Sequence, residues 1–255
     1  MLCAIRISDG EQVVAGNEEK NRGPFTCPSC KDGVVLRSGT LRMAHFAHKP
    51  PVTCSYGKGE TEAHRQCKAE IYEALLKCPE VSDLVLERPL GEVRPDISAV
   101  IRGERVAIEV QISALPLETV VHRTKEYAKR GIALLWLSPW TRALDNPRYA
   151  PRSWERWFHA AYFGEVYYWK RGLTVIPYHF EPHLLYVPKM QWADKRGKLV
   201  TGGGYEKRSK RFRRAVSGKP LNIVRDFEAM ERGEFRGGEL EVPGARLWGR
   251  KRQQK

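Results

Sequence analysis

Arg94-Pro95-Asp96-Ile97-Ser98-Ala99-Val100-Ile101-Arg102-Gly103-Glu104-Arg105-Val106-Ala107-Ile108-Glu109-Val110-Gln111-Ile112 is the stretch whose reading decides the fold. Two apolar runs, 95–101 and 106–112, flank a turn at Arg102-Gly103-Glu104, which predicts a β-hairpin. Side chains alternate along a strand, so Ala107, Glu109 and Gln111 share one face while Ile108, Val110 and Ile112 share the other. Asp96, at the start of the neighbouring strand, reaches the same place. A carboxylate is costly inside a β-branched strand, so two on adjacent strands point to a metal site rather than to core. The plainer reading makes Asp96 a turn residue after Pro95 and Glu109 the partner of an arginine such as Arg94 or Arg105.

The flanking pattern is helix, three strands, helix, strand. Upstream, Glu60-Thr61-Glu62-Ala63-His64 predicts a helix start with acidic residues near the positive end of the dipole, and Ala69, Ile71, Tyr72, Leu75 and Leu76 form its apolar stripe up to Pro79. Glu60, His64 and Lys68 fall at i, i+4 and i+8, on one helix face that is either a site or a solvated face with paired charges. Leu84-Val85-Leu86-Glu87 reads as a strand. Downstream, Pro116 opens a helix through Val120, Val121, Tyr127 and Ala128 to a cap at Gly131, and 132–137 is apolar without alternation, as in a buried central strand.

Composition limits the partners. The chain has 255 residues, 42% of them hydrophobic, enough for one main domain plus appendages. Its 44 Lys and Arg against 30 Asp and Glu leave a net charge of +14, which suits a polyanion such as nucleic acid. No apolar run is long enough to span a bilayer, and residues 1–20 lack a basic segment followed by an apolar one, so no membrane contact and a cytoplasmic location are expected. In a reducing compartment six cysteines read as metal ligands and ordinary thiols rather than disulfides.

Residues 1–57 read as a β and metal-binding module. Leu2, Ala4, Ile5, Ile7, Val13 and Val14 alternate weakly around Asp9-Gly10, suggesting a strand pair. Cys27-Pro28-Ser29-Cys30 puts two thiolates on one side of a tight turn, and His45-Phe46-Ala47-His48 with Cys54 can complete a tetrahedral zinc site. The expected set is Cys27, Cys30, His48 and Cys54, with His45 as substitute if His48 faces away. A redox pair is the other reading, although no thioredoxin-like unit surrounds it. Such a zinc would be structural and would stabilise a segment too small to have its own core. Cys3, Cys67 and Cys78 read as plain thiols.

Beyond Pro139, residues 154–163 predict an aromatic helix stopped by Gly164, and 166–169 pairs with 173–176 as a hairpin. These aromatics, interleaved with Arg and Lys, form a small core or stack on unpaired bases. Gly202-Gly203-Gly204 reads as a hinge. Lys207, Arg208, Lys210 and Arg211 belong to a basic run suited to a phosphate backbone, or to a solubilising tail. A short amphipathic helix is expected over 221–230, and the end of the chain through Lys255 is expected to be mobile.

Taken in order, Cys27 to Cys30, His45 to His48, Gly59 to His64 with Lys68, Arg94 to Asp96, Ala107 to Ser113, and Arg123 with Tyr127 resemble the competence protein CoiA family, within the PD-(D/E)XK nuclease superfamily. The resemblance implies an α/β (α+β) chain with a restriction-endonuclease-like αβββαβ core over 58–140. A small zinc-ribbon-like module would precede it, a helix and hairpin extension would fill 141–200, and a basic, partly flexible tail would fill 201–255. It further implies a metal-dependent DNA nuclease acting in competence or recombination. Asp96 and Glu109 would hold Mg²⁺ or Mn²⁺, with Glu60 as a further ligand or water holder. Gln111 would position the nucleophile, and Arg123 would steady the phosphate. The superfamily's usual third residue is lysine; Gln111 holds water but brings no positive charge, a role left to Lys68 or His64. The alternative is an inactive zinc-containing DNA-binding accessory protein on the same scaffold.

Overall fold

The computed structural model describes residues 1–251 except 40, 41, 55, 58, 59, 238 and 239. The expected boundary at 58, Gly59 of the helix-opening motif and the last part of the expected mobile end lie outside the described residues. Five short strands come first: β1 (Cys3–Arg6), β2 (Gln12–Val14), β3 (Phe25–Thr26), β4 (Gly33–Arg37) and β5 (His45–His48). They form an antiparallel sheet in the order β2-β1-β3-β4-β5. Contrary to expectation this segment has a small core of its own, in which Phe25 and Phe46 meet at 5.1 Å among Ala4, Val13, Val34 and Leu36. Short strands from separate places supply one or two apolar residues each, so no single run announces it.

The central elements follow the predicted order: α1 (Glu62–Leu76), β6 (Val81–Leu86), β7 (Ile97–Ile101), β8 (Glu104–Val110), α2 (Leu117–Lys129) and β9 (Ala133–Pro139). Thr61 caps α1, its side chain accepting the His64 N–H at 3.2 Å. Glu60 therefore precedes the helix instead of lying on its face. The β7–β8 turn uses Arg102 and Gly103, both at positive φ, the backbone that a tight two-residue hairpin requires. β8 runs parallel to β9, with Glu109 opposite Trp136, and both are buried nearly throughout, which is why 132–137 shows no alternation. α2 buries Val120, Thr124 and Tyr127 and ends at Gly131, whose φ of +63° suits the residue after a helix.

The remainder extends the same sheet. α3 (Ser153–Ala161) is followed by β10 (Val166–Arg171), parallel to β9, and by β11 (Thr174–Val187), which pairs back on β10. Trp154, Trp157, Phe158, Tyr162, Tyr167 and Tyr168 are all buried in the main core, so the stacking of bases on these rings falls away in favour of packing. β12 (Met190–Ala193), β13 (Leu199–Gly202) and β14 (Tyr205–Ser217) follow, β14 pairing with β11.

Residues 221–230 are not helical. β15 (Leu221–Asn222) leads into a turn in which Asn222 Oδ1 accepts the Val224 and Arg225 N–H groups, and β16 (Phe227–Arg232) follows. Local side-chain bonds of this kind compete with helix. β17 (Phe235–Gly237), β18 (Leu240–Val242) and β19 (Ala245–Arg250) complete the chain, β19 joining β9 in parallel through Leu247. The stretch read as a partly flexible tail thus buries Phe227, Leu247 and Trp248. No helix among the described residues is long and apolar enough to cross a membrane.

Candidate functional site

Two clusters of reactive side chains stand out. In the N-terminal sheet, the ligand atoms of Cys27, Cys30, His48 and Cys54 all lie within 4.8 Å of one another. The knuckle turns through Lys31 at φ +66°, which lets Cys27 N–H reach Asp32 O at 2.8 Å. β5 brings His48 Nε2 to 3.3 Å from Cys30 Sγ, whereas His45 is spent locally, its Nδ1 2.9 Å from Met43 O. Backbone N–H groups of Ser29 and Tyr56 point at the Cys27 and Cys54 sulfurs, each at 3.4 Å. Burial pushes the Cys30 thiol up to about 12, while the Tyr56 N–H, working against burial, pulls Cys54 down. Crowded thiols of unlike acidity, matched by one imidazole, are the donor set of a tetrahedral metal.

The second cluster lies where α1 meets the start of β7 and the end of β8. Asp96 Oδ2 accepts the Val110 N–H at 2.8 Å, which ties this carboxylate to the residue beside Glu109. His64 Nε2 lies 3.1 Å from the same oxygen. Lys68, only 2% exposed, places Nζ 3.5 Å from Asp96 Oδ1 and 2.5 Å from Glu87 Oε1, and also contacts Glu60. On the other side Glu109 Oε1 accepts from Tyr127 Oη and from Arg123 Nη2, each at 2.5 Å. Arg123 also donates to Arg94 O at 2.9 Å, and Gln111 donates its amide to Ser113 O.

The two carboxylates are pushed apart in acidity. Burial disfavours the Asp96 charge, but Lys68 and the His64 hydrogen bond outweigh it and hold Asp96 well below the usual range. For Glu109, burial and the neighbouring Asp96 charge outweigh Arg123 and raise it to about 7. A pair split in this way offers one permanently ionised oxygen donor and one that exchanges its proton near neutrality.

Of the residues singled out in the sequence, Glu60, His64, Lys68, Asp96, Glu109, Gln111 and Arg123 are brought to this region. The arginine that pairs Glu109 is Arg123, not Arg94 or Arg105. Lys207, Arg208, Lys210 and Arg211 lie instead on β14, Lys207 opposite Leu185 and Arg208 opposite Leu184. Glu87 was missed. It follows β6 at φ +53°, is 5% exposed and binds both Lys68 and the Tyr56 hydroxyl. Its one signal in the sequence is an acidic residue directly after an apolar run. A further group that could hold a metal, Glu92, His122 and Glu126, is mostly exposed, and Glu126 is already paired with Lys129 and Arg130.

Comparison with known families matches two domain models in succession. Residues 11–57 match the N-terminal domain of competence protein CoiA, and residues 60–157 match its nuclease-like domain. The chain belongs to the CoiA family. The first match contains all four clustered Cys and His residues, and the second contains Lys68, Glu87, Asp96, Glu109 and Arg123. The chain is also 28% identical over 129 residues to competence protein CoiA of Bacillus subtilis (strain 168), across 49% of this chain and 34% of that protein. It therefore spans about a third of the length of this curated CoiA relative. No solved structure matches.

Proposed function

We propose that this chain is a divalent-metal-dependent deoxyribonuclease of the CoiA type, hydrolysing phosphodiester bonds in DNA processing for competence or recombination. The observation that carries the reading is the meeting of Asp96 and Glu109 at the ends of neighbouring strands, Lys68 against one and Arg123 against the other. Two carboxylates suit Mg²⁺ or Mn²⁺, which keep waters and take phosphate oxygens. When bound, the ion supplies Lewis acidity toward the phosphate and lowers the pKa of a water. Lys68 brings the positive charge that Gln111 lacks, and Gln111 can accept from a water through its carbonyl oxygen. Arg123 exchanges Glu109 for a phosphate oxygen when DNA enters, a fork well shaped for that contact. Glu60 and Glu87 hold Lys68, and His64 orients Asp96.

The test is titration of Mg²⁺ and Mn²⁺ into metal-stripped wild type and Asp96→Ala, alongside cleavage of labelled single-stranded, duplex and branched DNA. Binding lost in the variant together with cutting by wild type alone supports the enzyme. One observation favours the second reading, an inactive DNA-binding scaffold: Glu109 is already matched by Arg123 and Tyr127. Retention of DNA by wild type with neither metal binding nor cutting would establish it.

Because Glu109 must lose its proton to bind a cation, Mg²⁺ affinity should rise with pH and level off above about 7. Affinity flat across that range would contradict the assignment. The same shift bears on stability. The unfolded chain loses this proton near 4.5 and the folded chain near 7, so the Glu109 contribution is full below 4.5 and fades as pH rises through about 7. Asp96 works in the opposite sense, its contribution fading as pH falls below the ordinary aspartate value.

For the N-terminal cluster the proposed ion is one structural Zn²⁺, closed by Cys27, Cys30, His48 and Cys54. Metal analysis should find about one zinc per chain, with most of it lost in Cys27→Ser and Cys30→Ser. Unchanged zinc in both variants would refute the site.

A further inference from the structure

β11 outruns its partner β10. The β10 pairing ends at Tyr178, and from His179 to Val187 the hydrogen-bonded neighbour of β11 among the described residues is β14. The two strands continue outward as a ribbon whose far end is the β12–β13 pair, turned by Asp194, which accepts the Arg196 and Lys198 N–H groups at 2.8 and 3.0 Å. Gly203 joins β13 to β14 at φ +87°, where a Cβ would lie 2.0 Å from Pro188 O, so only glycine lets the ribbon turn there.

The surface of this ribbon is unlike the rest of the molecule. Six of the eleven large hydrophobic side chains exposed among the described residues lie between 184 and 205. Three are aromatic: Tyr186, Trp192 and Tyr205, at 65%, 50% and 55% exposure. Trp192 lies over Gly202, where a Cβ would come within 2.7 Å of the ring. Residues 182–214 also hold ten Lys and Arg against two acidic residues, more than half of the chain's net +14. On β14 the register slips opposite His183, and residues 209–212 bulge out with Lys210 and Arg211 exposed. Lys207 and Tyr205 share one face of the ribbon, Arg208 and Tyr186 the other.

Cations in this number select a polyanion. Open rings set among them gain nothing from a duplex, whose base faces are already stacked, but can stack on unpaired bases. We propose that this ribbon is a grip for single-stranded DNA, with Tyr186, Trp192 and Tyr205 stacking on bases while Lys207, Arg208, Lys210 and Arg211 hold phosphates. The inference rests on the DNA reading above and adds the strand type and the place of contact. β8, β9 and β10 run parallel, so Glu109 lies at the edge where β10 ends, and β11 carries the ribbon out past the opposite edge. A strand held there is held outside the cutting site, and the ribbon serves affinity rather than chemistry.

The experiment uses Glu109→Gln in the whole 255-residue chain, so that the probe is bound without being cut. Binding is read by anisotropy on labelled oligothymidylate of about twenty nucleotides, a duplex of equal length and the matching oligouridylate. Wild-type ribbon should prefer the single strand. Replacing Tyr186, Trp192 and Tyr205 together by Ala should weaken single-strand binding on the order of a hundredfold and duplex binding by only a few fold, with Trp192→Phe largely retained. In the cutting-competent background the same triple change should raise KM and leave kcat unchanged. Equal weakening on both DNA forms, no weakening, or tighter binding of the uridylate would overturn the grip. If the catalytic variants behave as predicted while the ribbon variant binds normally, only the ribbon inference falls. If wild type binds no DNA, it falls together with the nuclease reading.

Discussion

Glu109→Gln should cleave DNA on the order of a thousandfold more slowly than wild type, with both proteins equally folded. The substitution keeps the shape and an acceptor for the Tyr127 hydroxyl and the Arg123 guanidinium, which lie 2.5 Å from Glu109 Oε1. What it removes is the negative charge, and with it one of the two carboxylates proposed to hold a cation. Loss on this scale separates a chemical role from a packing role, since a carboxylate kept only to satisfy Arg123 would tolerate the amide. The reading is checked by single-turnover cleavage at saturating Mg²⁺, with circular dichroism to confirm the fold. Rates within a few fold of one another would remove Glu109 from the reaction.

Lys68→Met should destabilise the protein by about 3–5 kcal/mol at neutral pH, because the variant leaves buried carboxylates without their cation. Lys68 Nζ serves Glu60, Glu87 and Asp96 together, at a position where side chains and backbone exclude water. Without it Glu60 and Asp96 lose the cation that lowers them against burial, so the variant regains stability as the pH falls and they take up protons. Denaturant unfolding at neutral and acidic pH measures this, and the gap between wild type and variant should shrink in acid. Cleavage should fall as well, since the proposed mechanism assigns to this ammonium group the positive charge that Gln111 lacks. Equal stability at neutral pH would mean that Lys68 does not hold the cluster together.

Much of this arrangement is legible locally. The alternation over 106–112 places Glu109 and Gln111 on one face, the Cys27–Cys30 spacing with His48 and Cys54 picks out the four side chains that cluster, and unbroken apolarity over 132–137 marks the central strand. These are short-range properties, written in periodicity and turn chemistry. Glu87 was not legible, because what makes it part of the site is β6 pairing that delivers its N–H to Asp96 O and its carboxylate to Lys68. Residues 221–230 misled for a related reason: their apolar spacing also fits a helix, and the Asn222 and Asp226 side chains decide against it.

The sequence left Trp154 open between a small core and base stacking, and Trp192 drew no reading at all. One is sealed between α3 and the main core and the other stands on an outer ribbon, a difference made by which strands find partners. By itself, the chain pointed to the family, to Cys27, Cys30 and Cys54 with His45 or His48 as a cluster, to the pair of strand carboxylates and to a basic net charge, since each depends on residue type and spacing alone. Only the tertiary structure decided that Lys68 sits beside Asp96, that Arg123 answers Glu109, and that Tyr186, Trp192 and Tyr205 stand exposed on the ribbon. Those outcomes rest on contacts between residues far apart in the chain, and burial, which sets their charges and their exposure, exists only once the strands have closed over them.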